Sequence, residues 1–264
     1  MMDEHTYQNE CLFYKHEISY NLPCDTYSRH THSQYELIRF VKGDASIVIE
    51  NRRYKLKRDD LVIIRPLCYH FIQIDSPADY ERYVLSFHTE KHGISSADLL
   101  PTLGDVISLS GNRAALDIFD RCDLYRARCD DATFERILPH LLSELFYNVS
   151  LFRSAPQEEH SSLSPLLSKA IGYIGEHLYT VKDIDEIAAH LSVSKSYLFR
   201  LFKTELHQTP RRYITDKRLL LSQKMIVSGE KPTRVCEKIG FDDYATFYRN
   251  YTAYFGHSPS EERS

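Results

Sequence analysis

The chain has 264 residues, 42% hydrophobic and 27% charged, a balance that suits a folded protein and leaves room for two domains, each with its own core. Its opening, MMDEHTYQNE, is polar and acidic, and no run of about eighteen apolar residues occurs anywhere, so secretory and membrane-spanning classes are set aside and a cytoplasmic protein is expected. The net charge of −4 is unevenly divided: residues 161–264 carry 15 Lys and Arg against 12 Asp and Glu, and the remainder 18 against 25. A mildly basic C-terminal part behind an acidic N-terminal part fits a nucleic-acid-binding module joined to something else. The cysteines (Cys11, Cys24, Cys68, Cys122, Cys129 and Cys236) show no CxxC pairing and read as reduced core residues.

Residues from about 12 to 90 read as β. The runs ELIRFV, ASIVIE, LVIIRP and FIQI are rich in β-branched residues and are broken by Gly43, Asp44, Asn51, Asp59 and Asp60, the pattern of a sandwich or barrel. Ahead of the first of these runs lies RHTHSQYE, 29–36, with two histidines one residue apart and a glutamate four further on. Alternation places His30, His32 and Glu36 on one face of extended chain, which resembles the beginning of a metal site. Three readings follow: a divalent metal, a polar cluster touching an organic effector, or a structural remnant. Tyr35, Arg39, Arg65 and Arg82 are further polar candidates whose inward or outward direction the pattern leaves open.

From about residue 113 the period becomes helical. Over 133–151, Phe134, Ile137, Leu138, Leu141, Leu142, Leu145, Phe146 and Val149 recur at spacings of three and four, a wide apolar stripe. The stripe suits either the chain's own core or a dimer seam. SAPQEEHSSLSP, 154–165, is polar and aperiodic, a linker.

An internal repeat follows. DIDEIAAHLSVSKSYLFRLFKTELHQTP, 183–210, and PTRVCEKIGFDDYATFYRNYTAYFGHSP, 232–259, align at an offset of 48 before a turn and 49 after it. Each copy has the layout of a helix-turn-helix: a short helix with a small residue for close packing (Ala188, Cys236), a tight turn, then a polar cap (Ser194; Asp242 or Asp243) that starts a second helix. Leu198, Leu201 and Phe202 form the inward face of one second helix, and Phe247 and Tyr251 that of the other. The outward positions are then Ser196, Phe199, Arg200 and Lys203, with Tyr244, Ala245, Tyr248 and Arg249 in the other copy. An arginine at the same place on both outer faces suits bidentate contact to guanine O6 and N7 in a major groove. Between the copies, Thr209 and Pro210 start a helix, RRYITDKRLLLSQKMIV, about 25 Å long, that can hold two readers at a fixed separation. Successive major grooves on one DNA face lie about 34 Å apart. Arg211, Arg212, Lys217 and Arg218 are candidates for phosphates or for a solvated face.

Residues from about 165 to 260 resemble the DNA-binding domain of AraC/XylS-family transcriptional regulators. The resemblance is carried by IAAHL, VS, SYLFRLFK, EL and TP in the first copy, by KRLLLSQKMI in the connecting helix, and by EKIGF, YFG and SP in the second. Ser192 stands where glycine is common, Asn250 where an apolar residue is usual, Thr252 where a lysine would touch phosphate, and Glu262 precedes Arg263 where tyrosine is usual. His30, His32, Glu36 and Gly43, with Pro66 and His70 later, are similar to the two motifs of the cupin barrel, except that Asp59 replaces a glycine. The resemblance implies an α+β two-domain protein. A cupin-like effector-binding and dimerisation domain is expected over 1–153, with a β-barrel and a helical dimerisation segment. A linker over 154–165 is followed by an all-α DNA-binding domain over 166–264. It also implies a transcriptional regulator rather than an enzyme, binding double-stranded DNA as a homodimer, and RNA polymerase when it acts as an activator. Base contacts fall to Ser196, Phe199, Arg200, Tyr244, Ala245, Tyr248 and Arg249, with Lys203 beside them. The effector, a sugar or other polar metabolite, falls to His30, His32, Glu36 and His70. No cofactor is expected, because such regulators commonly keep part of the cupin pattern without a metal; the alternative is a divalent Fe, Mn, Ni or Zn ion on those same four residues.

Overall fold

The computed structural model describes residues 5–9, 12–24, 32–50, 52–89, 94, 96–152, 161–162 and 164–263. It divides into two compact units, the first holding the described residues up to Cys24 and from Gln34 to Ser161, the second those from Ser162 together with His32 and Ser33.

In the first unit the strands are β1 (His5–Gln8), β2 (Leu12–Leu22), β3 (Tyr35–Lys42), β4 (Ala45–Ile49), β5 (Arg52–Lys55), β6 (Asp60–Ile64), β7 (His70–Ile74), β8 (Ala78–Phe87) and β9 (Val106–Ser108). One sheet has the order β1-β2-β8-β3-β6-β9, and a second places β4 between β5 and β7; the pairings are antiparallel. The expected barrel thus takes the form of two sheets facing each other. Ile38, Phe40, Ile47, Ile49, Val62, Ile64, Ile72 and Ile74 fill the space between them. The four runs read as strands from sequence correspond to β3, β4, β6 and β7. β6 does not alternate, because every one of its positions is buried. Val62 and Ile64 face the opposing sheet, while Leu61 and Ile63 face a second core on the outer side.

That outer core is covered by α1 (Arg113–Arg128) and α2 (Asp131–Leu151), capped by the side chains of Asn112 and Asp130. The apolar stripe of α2 is spent there: Phe134, Leu138, Leu141, Leu142, Leu145, Phe146 and Val149 are buried with Leu37, Leu85 and Phe87. Burial of each such side chain stabilises by about 1.5–3 kcal/mol. Of the two uses the stripe suits, the chain's own core is the one the fold adopts. Among the described residues of these helices and their end, the large apolar side chains left exposed are Leu124, Tyr147, Leu151 and Phe152.

The second unit contains α3 (Pro165–Glu176), α4 (Ile184–His190), α5 (Lys195–Glu205), α6 (Pro210–Val227), α7 (Pro232–Lys238) and α8 (Tyr244–Phe255). Ser164 caps α3, with Pro165 in its first turn, so helix begins there. Thr209 caps α6 through the Arg212 amide. The repeat is real in three dimensions: α4–α5 and α7–α8 are its two copies. Ala188 and Cys236 are buried where close helix contact was expected. The turn residues Ser192 and Gly240 both adopt left-handed backbone, with φ of 56° and 81°.

Candidate functional site

The two second helices of the repeat start from side-chain caps. Ser194 Oγ accepts from the Tyr197 amide, and Asp243, rather than Asp242, accepts from that of Thr246 at 2.7 Å. These caps set the rotation of α5 and α8. Leu198, Leu201 and Phe202 turn inward on α5, and Phe247 and Tyr251 are fully buried on α8. The opposite faces follow from the helical period. Ser196, Arg200 and Lys203 are exposed on α5; Tyr244, Ala245, Tyr248 and Arg249 are exposed on α8. Phe199 is half-buried, more sheltered than its outward position suggests.

Arg200 and Arg249 hold similar stations. Arg200 lies over the Tyr197 ring at 5.2 Å, and Arg249 donates to the Thr246 hydroxyl at 3.2 Å. Neither contact satisfies a guanidinium as a carboxylate would, so both forks can still meet base edges or phosphates. Tyr197 is 39% exposed and was missed in the sequence, although its i,i+3 spacing from Arg200 was a usable signal. Of the basic residues of α6, Arg212 pairs with Asp216 at 2.8 Å, Lys217 sits over the Tyr213 ring, and Arg218 turns inward. Asn250 bonds back to the Thr246 carbonyl, and Glu262 accepts from Tyr251 and Gln223, so these two departures from the family pattern are absorbed internally.

In the first unit, β3 alternation sends Glu36 inward with Ile38 and Phe40, and β7 brings His70 to the same layer. Glu36 is 7% exposed and His70 1%. His70 Nδ1 lies 3.0 Å from the Cys68 carbonyl oxygen, which only accepts, so Nδ1 carries hydrogen. Nε2 then faces Glu36 Oε2 at 2.9 Å. A carboxylate also only accepts, so a proton or another cation has to occupy that junction. His32 joins them: one ligand atom from each of His32, Glu36 and His70 lies within 4.8 Å of the others. Two imidazoles and a carboxylate fit a divalent transition metal, and the Cys68 contact orients His70 as it would a ligand. His30 lies outside the described residues.

The other polar candidates are taken up by structure. Arg39 pairs with Asp59 at 2.9 Å and lies over the Tyr83 and Phe119 rings. Arg65 bonds Asp105 and the Leu103 carbonyl, Arg82 pairs with Glu17, and Tyr35 stacks on Phe87. Asp59, where the cupin pattern has glycine, has φ of 64°, a conformation Asp tolerates better than most residues. A second histidine site escaped the sequence reading altogether. His16 on β2 reaches Asp123 of α1 at 2.8 Å and Glu81 of β8 at 3.1 Å, stacked on Tyr83. Burial pulls this imidazole's pKa down, but hydrogen bonds to Asp123 and Glu81 and their charges outweigh it and hold the pKa above its ordinary value. No periodicity links residues so far apart in the chain.

Comparison with known proteins places this geometry. Residues 18–173 match the model of the AraC-like ligand binding domain, and residues 187–264 match that of a helix-turn-helix domain. The regulatory protein SoxS of Escherichia coli is 33% identical over 99 residues, 37% of this chain and 92% of SoxS. An uncharacterized HTH-type transcriptional regulator of Bacillus subtilis, YfiF, is 24% identical over 250 residues, 89% of this chain and 78% of that one. The raffinose operon transcriptional regulatory protein RafR of Pediococcus pentosaceus is 29% identical over 131 residues, 48% of this chain, and the match spans 47% of RafR.

Proposed function

This chain belongs to the AraC family of DNA-binding transcriptional regulators, which are not enzymes, and from that premise we propose that it responds to a small polar effector held by its N-terminal unit. DNA is read by Ser196, Phe199, Arg200 and Lys203 of α5, and by Tyr244, Ala245, Tyr248 and Arg249 of α8. The observation that carries this reading is the pair of arginines, Arg200 and Arg249, exposed at matching places on two capped helices. Duplex selection by the full chain tests it. Arg200→Ala or Arg249→Ala is expected to cost about 1–3 kcal/mol at the selected site and to relax base preference at one position. Unchanged selectivity in both variants would refute the assignment.

The effector reading rests on Glu36 and His70, a buried polar pair at the edge of an otherwise apolar inter-sheet core, with His32 beside it. Such a pair can orient a hydroxyl-bearing metabolite by donating and accepting hydrogen bonds. A sugar fits that chemistry and accords with the name of RafR. A second reading, a divalent metal on the same residues, is favoured by the 4.8 Å grouping of donor atoms. Metal analysis of the purified protein, followed by thermal shift against sugars, separates the two. Exposed Leu124, Tyr147, Leu151 and Phe152 support a homodimer through the α1–α2 face, which sedimentation of the full chain checks. RNA polymerase is the further partner when the protein activates. Among the described residues no helix is long and apolar enough to cross a membrane, and we place the protein in the cytoplasm.

A further inference from the structure

Arg218 departs from the outward role that the sequence suggests for the basic residues of α6. Its guanidinium donates to three main-chain carbonyls: Nε to Leu178 at 2.8 Å, Nη2 to Val181 at 2.6 Å and Nη1 to Gly240 at 2.7 Å. Leu178 and Val181 lie between α3 and α4, just ahead of the first helix-turn-helix, and Gly240 is the turn of the second. One side chain, mounted midway along the helix that joins the two readers, therefore ties the entrance of one to the turn of the other. A planar fork with donors in fixed directions suits three carbonyls at once, and a lysine's point charge does not.

The far side of this junction is equally close. A Cβ on Gly240 would stand 2.4 Å from the Tyr179 carbonyl oxygen and 2.9 Å from Nη2 of Arg218. Ser192, at the matching turn of the first copy, carries a side chain at φ 56°, so left-handed backbone alone does not demand glycine. The press of Tyr179 and Arg218 does. The two copies differ here because only the second turn is clamped against its neighbour by Arg218.

We propose that Arg218 is a positioning residue for DNA readout. Its three-way clamp fixes the separation and twist of α5 and α8, and so sets the spacing between the two short base-pair boxes that the protein accepts. This rests on the DNA-reading role proposed above. With the clamp intact, engagement of the first helix presents the second at one register only; with it loosened, several registers become accessible and none is pre-organised.

The test uses the full chain and duplexes carrying its selected site, with the boxes at the selected spacing and one or two base pairs closer or further, at several salt concentrations. Arg218→Lys is expected to reduce discrimination between spacings about tenfold, the equivalent of a lost charged hydrogen bond, and to leave the slope of log affinity against log salt unchanged. A uniform loss at every spacing, with the slope reduced by about one, would make Arg218 a phosphate contact and overturn the proposal. Spacing preference equal to that of the wild type overturns it too. Should Arg218→Lys melt too low to assay, Gly240→Ala disturbs the same junction from the other side and is expected to blur spacing likewise. A readout without DNA is the distance distribution between spin-labelled unnatural amino acids at Thr204 and Ala253. It is expected to be narrow in the wild type and broad in Arg218→Lys, and equal widths overturn the clamp. Failure of the wild type to retain any duplex counts against the DNA-reading role alone, since the distance measurement still decides the clamp.

Discussion

The arginines of the N-terminal sheets and those on the outer faces of α5 and α8 keep different company. In the first unit, Arg39, Arg65 and Arg82 each meet a carboxylate, and His16 meets two. In the second, Arg200 and Arg249 stand on exposed helix faces with an aromatic ring and a hydroxyl for company. A guanidinium already engaged by a carboxylate contributes to the fold and offers little to a ligand. One held in place by a ring or a hydroxyl keeps its donors for a phosphate or a base edge. The surroundings of an arginine therefore say more about its role than its exposure alone, and Arg218, engaged by carbonyls, belongs with the structural group.

The sharpest way to break this contrast is to remove an interior partner. His70→Ala is expected to destabilise the first unit by about 3–5 kcal/mol, because Glu36 stays buried without its imidazole, and denaturant unfolding of the full chain measures it. A loss under about 1 kcal/mol would mean that Glu36 is solvated or protonated at little cost. Arg200→Ala and Arg249→Ala should do the reverse: less than about 0.5 kcal/mol in unfolding but about 1–3 kcal/mol in specific binding.

A smaller effect concerns pH. Because the folded pKa of His16 is raised, its contribution is fully present below the ordinary imidazole value of 6.5 and is lost as pH rises through the folded pKa. Unfolding free energy should then fall above that window, and His16→Gln should flatten this portion of the profile. An unchanged profile in the variant would assign the pH dependence to other groups. The smallest change separates the two turns. Ser192→Gly should stabilise by about 1 kcal/mol by relieving left-handed backbone at a side-chain-bearing residue, whereas Gly240→Ala should destabilise. A melting-temperature pair suffices to check both signs.

The second unit was the more legible in the sequence because its chemistry is local. Caps, turns and the inward triplet of α5 recur within a few residues, and a repeat lets one copy check the other. The choice between Asp242 and Asp243, the half-burial of Phe199, the Tyr197 ring beneath Arg200 and the inward turn of Arg218 emerge only from the fold. The first unit's strands were partly visible: β3, β4, β6 and β7 carry dense β-branched runs, while β2 and β8 are mixed in polarity and fall only within the broader β reading of 12–90. Their partnerships are long-range. His16, Glu81 and Asp123 come from three elements, and no spacing rule joins them. Glu36 and His70 were foreseen as neighbours through a motif, while their hydrogen bond and its demand for a cation appear only with the geometry.

Footprinting of the full chain on a selected duplex tests the central claim most directly. Two protected stretches on one face, separated by about one helical turn of roughly 10 base pairs, are expected, each lost separately with Arg200→Ala or Arg249→Ala. A single protected stretch that both variants weaken equally would contradict the account of two readers held in register on one duplex.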